Sequence, residues 1–106
     1  MKKLVNDYLP LTHTTYFILL ALLKPLHGYG IMQKVGEISD GEVKLGPGTL
    51  YGALKKLEKD MLITKINGAE RKKNYILTSF GKEILEAEYK RLERMIHISK
   101  HVLHDG

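Results

Sequence analysis

Cysteine and tryptophan are both absent from the 106 residues of this chain. Without cysteine there are no disulfides and no thiolate metal sites, so a reducing, cytoplasmic setting is the expected one. Long apolar runs are also missing. The longest, Tyr16 to Leu23, covers eight residues, far short of the roughly 20 needed to cross a bilayer. Met1-Lys2-Lys3 ahead of it gives the look of a signal peptide. Asp7 and Pro10 interrupt that pattern, and no small-residue cleavage site precedes Lys24-Pro25. A buried core helix is the expected reading, and no membrane partner is expected. Acidic residues are the minority, 12 against 17 Lys and Arg, for a net charge of +5. A basic balance of this kind favours a polyanionic partner, nucleic acid first.

The constellations of catalysis are missing too: there is no paired carboxylate site and no nucleophile elbow. His97, His101 and His104 follow one another at i, i+4 and i+7, which is a metal-ligand spacing. Such a run at a helix end is more often a frayed, solvated terminus. Neither enzyme activity, nor a metal, nor a cofactor is expected.

Pro10, Pro25 and Pro47 are the only prolines, and they punctuate the chain. Residues 1–10 read as a loose arm closed by Pro10. A first helix is expected from about Thr12, a capping residue, to Leu23, nearly apolar all round. A second is expected over His27 to Ser39, with Ile31, Met32, Val35 and Ile38 on one stripe and Asp40-Gly41 as its stop. Gly28-Tyr29-Gly30 lacks the third glycine and the preceding strand of a dinucleotide loop. Glycines there permit close approach, to another helix or to a phosphate.

A third helix begins at Pro47, whose φ is already helical. Leu50, Leu54, Leu57 and Met61 form its inward stripe. Thr49, Gly52, Lys55, Lys56 and Lys59 face away, with Tyr51 on the flank. Short residues lead and lysines follow, an arrangement that lets the end of a helix enter a groove while the cations reach phosphates. Leu62 to Ile66 then reads as a strand, Asn67-Gly68 as a turn, and Lys72 to Leu77 as the returning strand. Residues 51–78 hold seven Lys and Arg against three Asp and Glu. An ordinary solvated hairpin tip is the plainer alternative for part of that charge.

Thr78 is placed to cap a last helix running from Ser79 to the C-terminus. Leu85, Tyr89, Leu92, Ile96, Ser99 and Leu103 fall at alternating spacings of four and three, a heptad seam suited to dimerisation. Glu86, Glu88, Lys90, Arg91, Glu93 and Arg94 flank it as solvating charges. Tyr89, Leu92, Met95 and Ile96 fit either a dimer core or the lining of an effector pocket.

The expected fold is thus mainly α with a small β-hairpin: a winged helix-turn-helix over 1–78 plus a long C-terminal dimerisation helix over 79–106, in one compact unit. At this point the chain resembles the PadR family of transcriptional regulators. The matching residues are Leu26-His27-Gly28-Tyr29-Gly30-Ile31, Gly46-Pro47-Gly48-Thr49-Leu50-Tyr51 and Leu54-Lys55-Lys56-Leu57-Glu58-Lys59-Asp60. Arg71-Lys72-Lys73-Asn74-Tyr75-Ile76-Leu77-Thr78 with Gly81 completes the match. The resemblance implies a homodimeric repressor whose third helix enters the major groove and whose wing contacts the backbone. It also implies the small subgroup with a single dimerisation helix, some members of which bind flat aromatic or cationic drugs. Two departures stand out. Met61 occupies a position where the family usually has glycine, which would serve a left-handed helix stop. The lack of tryptophan means that a tryptophan sandwich around a drug cannot be formed.

The resulting expectation is a sequence-specific regulator of transcription, a repressor relieved by an aromatic or apolar small molecule. It would act on a pseudo-palindromic double-stranded DNA operator as a homodimer. Thr49 and Tyr51 are the candidates for base or sugar contact, and Tyr29, Lys55, Lys56, Arg71, Lys72 and Lys73 for phosphates. Leu85, Tyr89, Leu92, Ile96 and Leu103 are the candidates for dimerisation. The alternative is a dimeric winged-helix adaptor that binds a protein instead of DNA.

Overall fold

Thr12 opens the first helix as its sequence position suggests: its hydroxyl accepts the Thr15 N–H at 3.1 Å, and α1 runs over His13–Ala21. The computed structural model describes residues 4–67 and 73–105. Helix α2 spans Gly28–Ile38 and α3 spans Pro47–Lys59. A hairpin follows, with β1 over Ile63–Asn67 and β2 over Lys73–Leu77, and α4 covers Ser79–His104.

The stops of α2 and α3 are both left-handed turns. After α2, Asp40 (φ 53°) and Gly41 (φ 78°) turn the chain, with the Gly41 N–H donating to the Gly36 carbonyl at 2.8 Å. After α3, Met61 takes φ 65°. Its N–H donates to the Glu58 carbonyl at 3.0 Å, and the Leu62 N–H donates to the Leu57 carbonyl at 2.9 Å. The family's glycine position therefore keeps its left-handed geometry here, but with a side chain on it. Met61 is correspondingly absent from the inward stripe: it is 70% exposed. The stripe fails there because the helix has already ended at Lys59 and the turn redirects the next side chain outward.

The strands pair antiparallel from Ile63 opposite Leu77 to Asn67 opposite Lys73. Asn67 is thus the last residue of β1 and not part of a tight turn. Leu26 forms an extra rung on the far side of β2, exchanging hydrogen bonds with Tyr75 at 3.1 and 2.8 Å. β2 lies between them, and β1 is the outer edge. Ile18, Leu19 and Leu22, Ile31 and Val35, Leu50, Leu54 and Leu57, Leu62 and Ile63, and Ile84 and Leu85 form one buried cluster. Each such side chain contributes about 1.5–3 kcal/mol by leaving water.

From Leu4 on, the described residues ahead of α1 are not the loose arm that the sequence suggests, and Met1 to Lys3 of that arm lie outside the described residues. A single 3-10 turn covers Val5–Tyr8, and Val5, Tyr8 and Leu9 pack against the core. Tyr8 meets Phe80 of α4 edge-on, with ring centroids 5.6 Å apart. Leu4, Val5, Tyr8 and Leu9 span too few residues there to establish a period.

Thr78 joins three elements. Its hydroxyl accepts the Gly81 N–H at 2.9 Å and donates to the Met61 carbonyl at 2.6 Å, with the Leu62 carbonyl 3.1 Å away. A Cβ on Gly81 would lie 2.0 Å from the Leu62 carbonyl oxygen, so only glycine allows the start of α4 to pack on this backbone. The buried residues of α4 are Gly81, Ile84, Leu85 and Glu88. At 1.5 Å per residue the helix is about 39 Å long, so most of it extends beyond the packed part.

Candidate nucleic-acid interface

Gly46 opens α3 without a side-chain cap, and Pro47 occupies its first turn. Cβ atoms built on Gly46, Gly48 or Gly52 would meet nothing within 4 Å. Together with exposed Thr49 they leave this end of α3 bare. Its first N–H groups point outward along the positive end of the helix dipole, which suits an approaching anion. Leu50, Leu54 and Leu57 hold the opposite face in the core. The division of α3 into a buried leucine stripe and an open face follows the 3.6-residue period.

Tyr51 is half exposed, and its ring lies across the start of α2. A Cβ on Gly28 would fall 2.2 Å from the Tyr51 hydroxyl. The close approach permitted at Gly28 is therefore made by another helix, through Tyr51. Tyr29, the residue after Gly28, is exposed, with its hydroxyl 3.5 Å from Nε2 of Gln33. Tyr29 and Tyr51 are thus both exposed beside Gly28, at the first turns of α2 and α3, while Thr49, two residues before Tyr51, is exposed on another face of α3.

Lys55 and Lys59 extend along the open face of α3. Lys56 is exposed as well but turns toward the chain ahead of α1. It lines a cavity of about 300 Å³ with Pro10, Leu11, Thr12 and Asp60. On the wing, Lys65 pairs with Glu58 at 3.5 Å, while Lys73 is exposed at the start of β2. Arg71 and Lys72 lie outside the described residues.

The dimerisation candidates divide in two. Leu85 faces the core of its own chain. Tyr89, Ile96 and Leu103 are exposed, Leu92 is half-buried, and Met95, Ile98 and Val102 add to the uncovered apolar surface. Tyr89 lines a cavity of about 240 Å³ between α1 and α4 with Tyr16, Leu20 and Leu23. Leu92, Met95 and Ile96 are not among its walls. His97 and His101 contact each other edge-on, and Nδ1 of His101 lies 2.8 Å from Oδ2 of Asp105. Among the described residues no three His, Asp or Glu side chains form a group that could hold a metal ion, and no helix is long and apolar enough to cross a membrane.

Glu88 departs from the expectation of a solvating charge, being 1% exposed. Its carboxylate accepts the Leu11 N–H at 2.8 Å and is gripped by both Nε and Nη2 of Arg91. Those Arg91 hydrogen bonds, and then the Leu11 N–H, hold its pKa below the ordinary carboxylate value despite burial. The signal was present in the sequence, since Gly81, Ile84, Leu85 and Glu88 share one helical stripe, but charge type masked it.

The family model described as the transcriptional regulator PadR-like family matches residues 18–87. A PadR family transcription regulator from Clostridium difficile R20291 is similar in structure, with a TM-score of 0.75 and 31% identity over 87% of this chain and 99% of that one. A PadR-like transcription factor from Bacteroides fragilis gives a TM-score of 0.71 and 26% identity, covering 85% of this chain and 89% of its own. An uncharacterized 37.1 kDa protein in transposon TN4556 of Streptomyces fradiae is 39% identical over 71 residues, which are 67% of this chain and 20% of that protein. The chain therefore spans about a fifth of the length of that relative.

Proposed function

The chain belongs to the PadR-like family of transcriptional regulators, a family of regulators and not of enzymes, and from that premise we propose that it represses transcription as a homodimer bound to a pseudo-palindromic operator. The open end of α3 carries this reading. Glycines without neighbours, Thr49 and uncapped N–H groups are presented there together, the shape that a major groove admits. In this reading Thr49 and Tyr51 contact bases or sugars. Tyr29, Lys55, Lys56, Arg71, Lys72 and Lys73 neutralise phosphates.

The head over 1–78 and the helix over 79–106 act as one unit, and the uncovered apolar face of α4 packs against a second copy. Half-sites are then expected about 34 Å apart or at a multiple of it. An apolar or aromatic molecule that enters between α1 and α4 would release the operator; the cavity beside Tyr89 supports this part.

Selection of bound duplexes from a random pool tests the reading directly. A recovered palindrome supports it, and failure to enrich any duplex favours a protein-binding adaptor. Replacing Arg71, Lys72 and Lys73 together by Ala should weaken binding to all duplexes and flatten the salt dependence, since log affinity falls by about 0.9 per phosphate contact per log unit of salt. Unchanged affinity and slope would remove the wing from the interface.

A further inference from the structure

We infer that Glu88 is a positioning residue that sets operator half-site spacing: by tying the backbone ahead of α1 to α4, it fixes the angle at which α4 leaves the head. The inference rests on the proposed dimeric DNA-binding reading and deepens it.

Glu88 is the last residue of α4 that is buried; no later position on that helix is. It is also the one buried ionisable side chain among the described residues. Its three hydrogen bonds join separate parts of the chain. Leu11, 77 residues away in sequence, donates from the segment that leads directly into the Thr12 cap of α1. Arg91, one turn further along α4, clamps both carboxylate oxygens. No buried side-chain polar atom among the described residues is left without a partner.

The Glu88–Arg91 pair lies within α4 and holds the carboxylate in place, while the Leu11 N–H is the one of its three bonds that crosses to the head. An arrangement that breaks that bond leaves a buried carboxylate oxygen and a backbone N–H short of a partner, which is penalised. At this place the penalised arrangements are rotations, slides and tilts of α4 against the segment that leads into α1. From Glu88 to His104 the helix runs on for 16 residues, or about 24 Å. A tilt of about 10° at Glu88 then displaces the far end by about 4 Å, more than the roughly 3.4 Å between base pairs along one strand. If α4 is the arm joining two heads, freedom at Glu88 becomes uncertainty of about one base pair in the separation of the two α3 helices.

Purified full-length protein allows a test that does not depend on DNA. The chain has no cysteine, so Glu37→Cys at the exposed end of α2 gives a unique spin-label site on each head. Distances between the two labels of a dimer are measured for this background, with Glu88→Leu added, which removes the acceptor of the Leu11 N–H, and with Arg91→Ala added. Arg91→Ala removes the clamp that orients the carboxylate toward the Leu11 N–H, loosening that bond without deleting the acceptor, and guards against a folding failure of the first variant. A single narrow distance is expected in the background, and a distribution broadened or shifted by several ångströms in either variant. The second readout is affinity for single half-sites and for palindromes whose spacers differ by one base pair. Half-site affinity should stay within about threefold, while a spacing preference of about tenfold or more should fall severalfold. A purely structural loss would lower all affinities together. Unchanged distances and unchanged spacing preference in both folded variants overturn the role of Glu88 alone. The absence of any distance between labels in the background sinks the dimer beneath it, and the inference with it.

Discussion

Met61 holds a backbone conformation that its side chain opposes. At φ 65° a residue with a Cβ pays about 1–2 kcal/mol that glycine avoids, and the exposed Met61 side chain returns little of it by packing. Met61→Gly is expected to raise unfolding stability by about 1 kcal/mol, seen as a higher denaturant midpoint with unchanged slope. A lower midpoint would mean that the exposed thioether makes contacts worth more than the strain. The special geometry at this position was legible in the sequence through the glycine that a resemblance led one to expect. The exposure was not, because counting four residues on from Leu57 assumes a helix that has already stopped. Glu88 adds a pH dependence. Its carboxyl is held below the ordinary value by Arg91 and by the Leu11 N–H, so the native state binds that proton less readily than the unfolded chain. The stabilisation is therefore complete above the unfolded value near pH 4.3 and is lost as pH falls through the lower folded value. Melting temperatures followed downward from about pH 6 should drop more steeply for the natural chain than for Glu88→Gln. Parallel curves would show that the pair contributes nothing to acid stability.

Among the elements, α3 was the most legible and α4 the most divided. The leucines of α3 recur at the helical period, and a helix with one apolar stripe on a small domain has only one way to lie. The seam of α4 is equally periodic, yet periodicity does not say whose surface fills it. The structure gives Leu85 to the core of its own chain and leaves Ile96 (69% exposed) and Leu103 (73% exposed) uncovered. The hairpin was legible as two strands, but Asn67 joined the strand, because Asn-Gly marks turn chemistry without fixing loop length. The double variant Ile96→Glu, Leu103→Glu places charge where the proposed dimer would bury apolar surface. It should sediment as a monomer with its helical circular dichroism retained, and lose duplex affinity by a factor of about 100 or more through lost bivalency. A folded double variant that still sediments as a dimer would place the interface elsewhere.

At the scale of the whole molecule, the radius of gyration is 15.3 Å and the extents are 57 × 37 × 21 Å. A compact domain of this length would have a radius of about 13 Å. The excess is the unpacked part of α4, an extension that a lone small domain has no reason to maintain. The sequence hinted at this through helix length alone, while the turn at Val5–Tyr8 that braces the other end of α4 escaped notice. The hairpin has its own consequence at this scale. Leu26 closes one side of the sheet, and among the described residues no strand pairs with the other side of β1. That leaves a row of backbone donors and acceptors open to any extended chain, the geometry from which fibrous aggregates grow. Lys65 sits at the middle of this strand, half-neutralised by Glu58 at 3.5 Å, and an approaching strand would have to desolvate it. Lys65→Val should therefore leave the melting temperature nearly unchanged while making light scattering rise with concentration and time, a cation on the wing serving the protein's solubility.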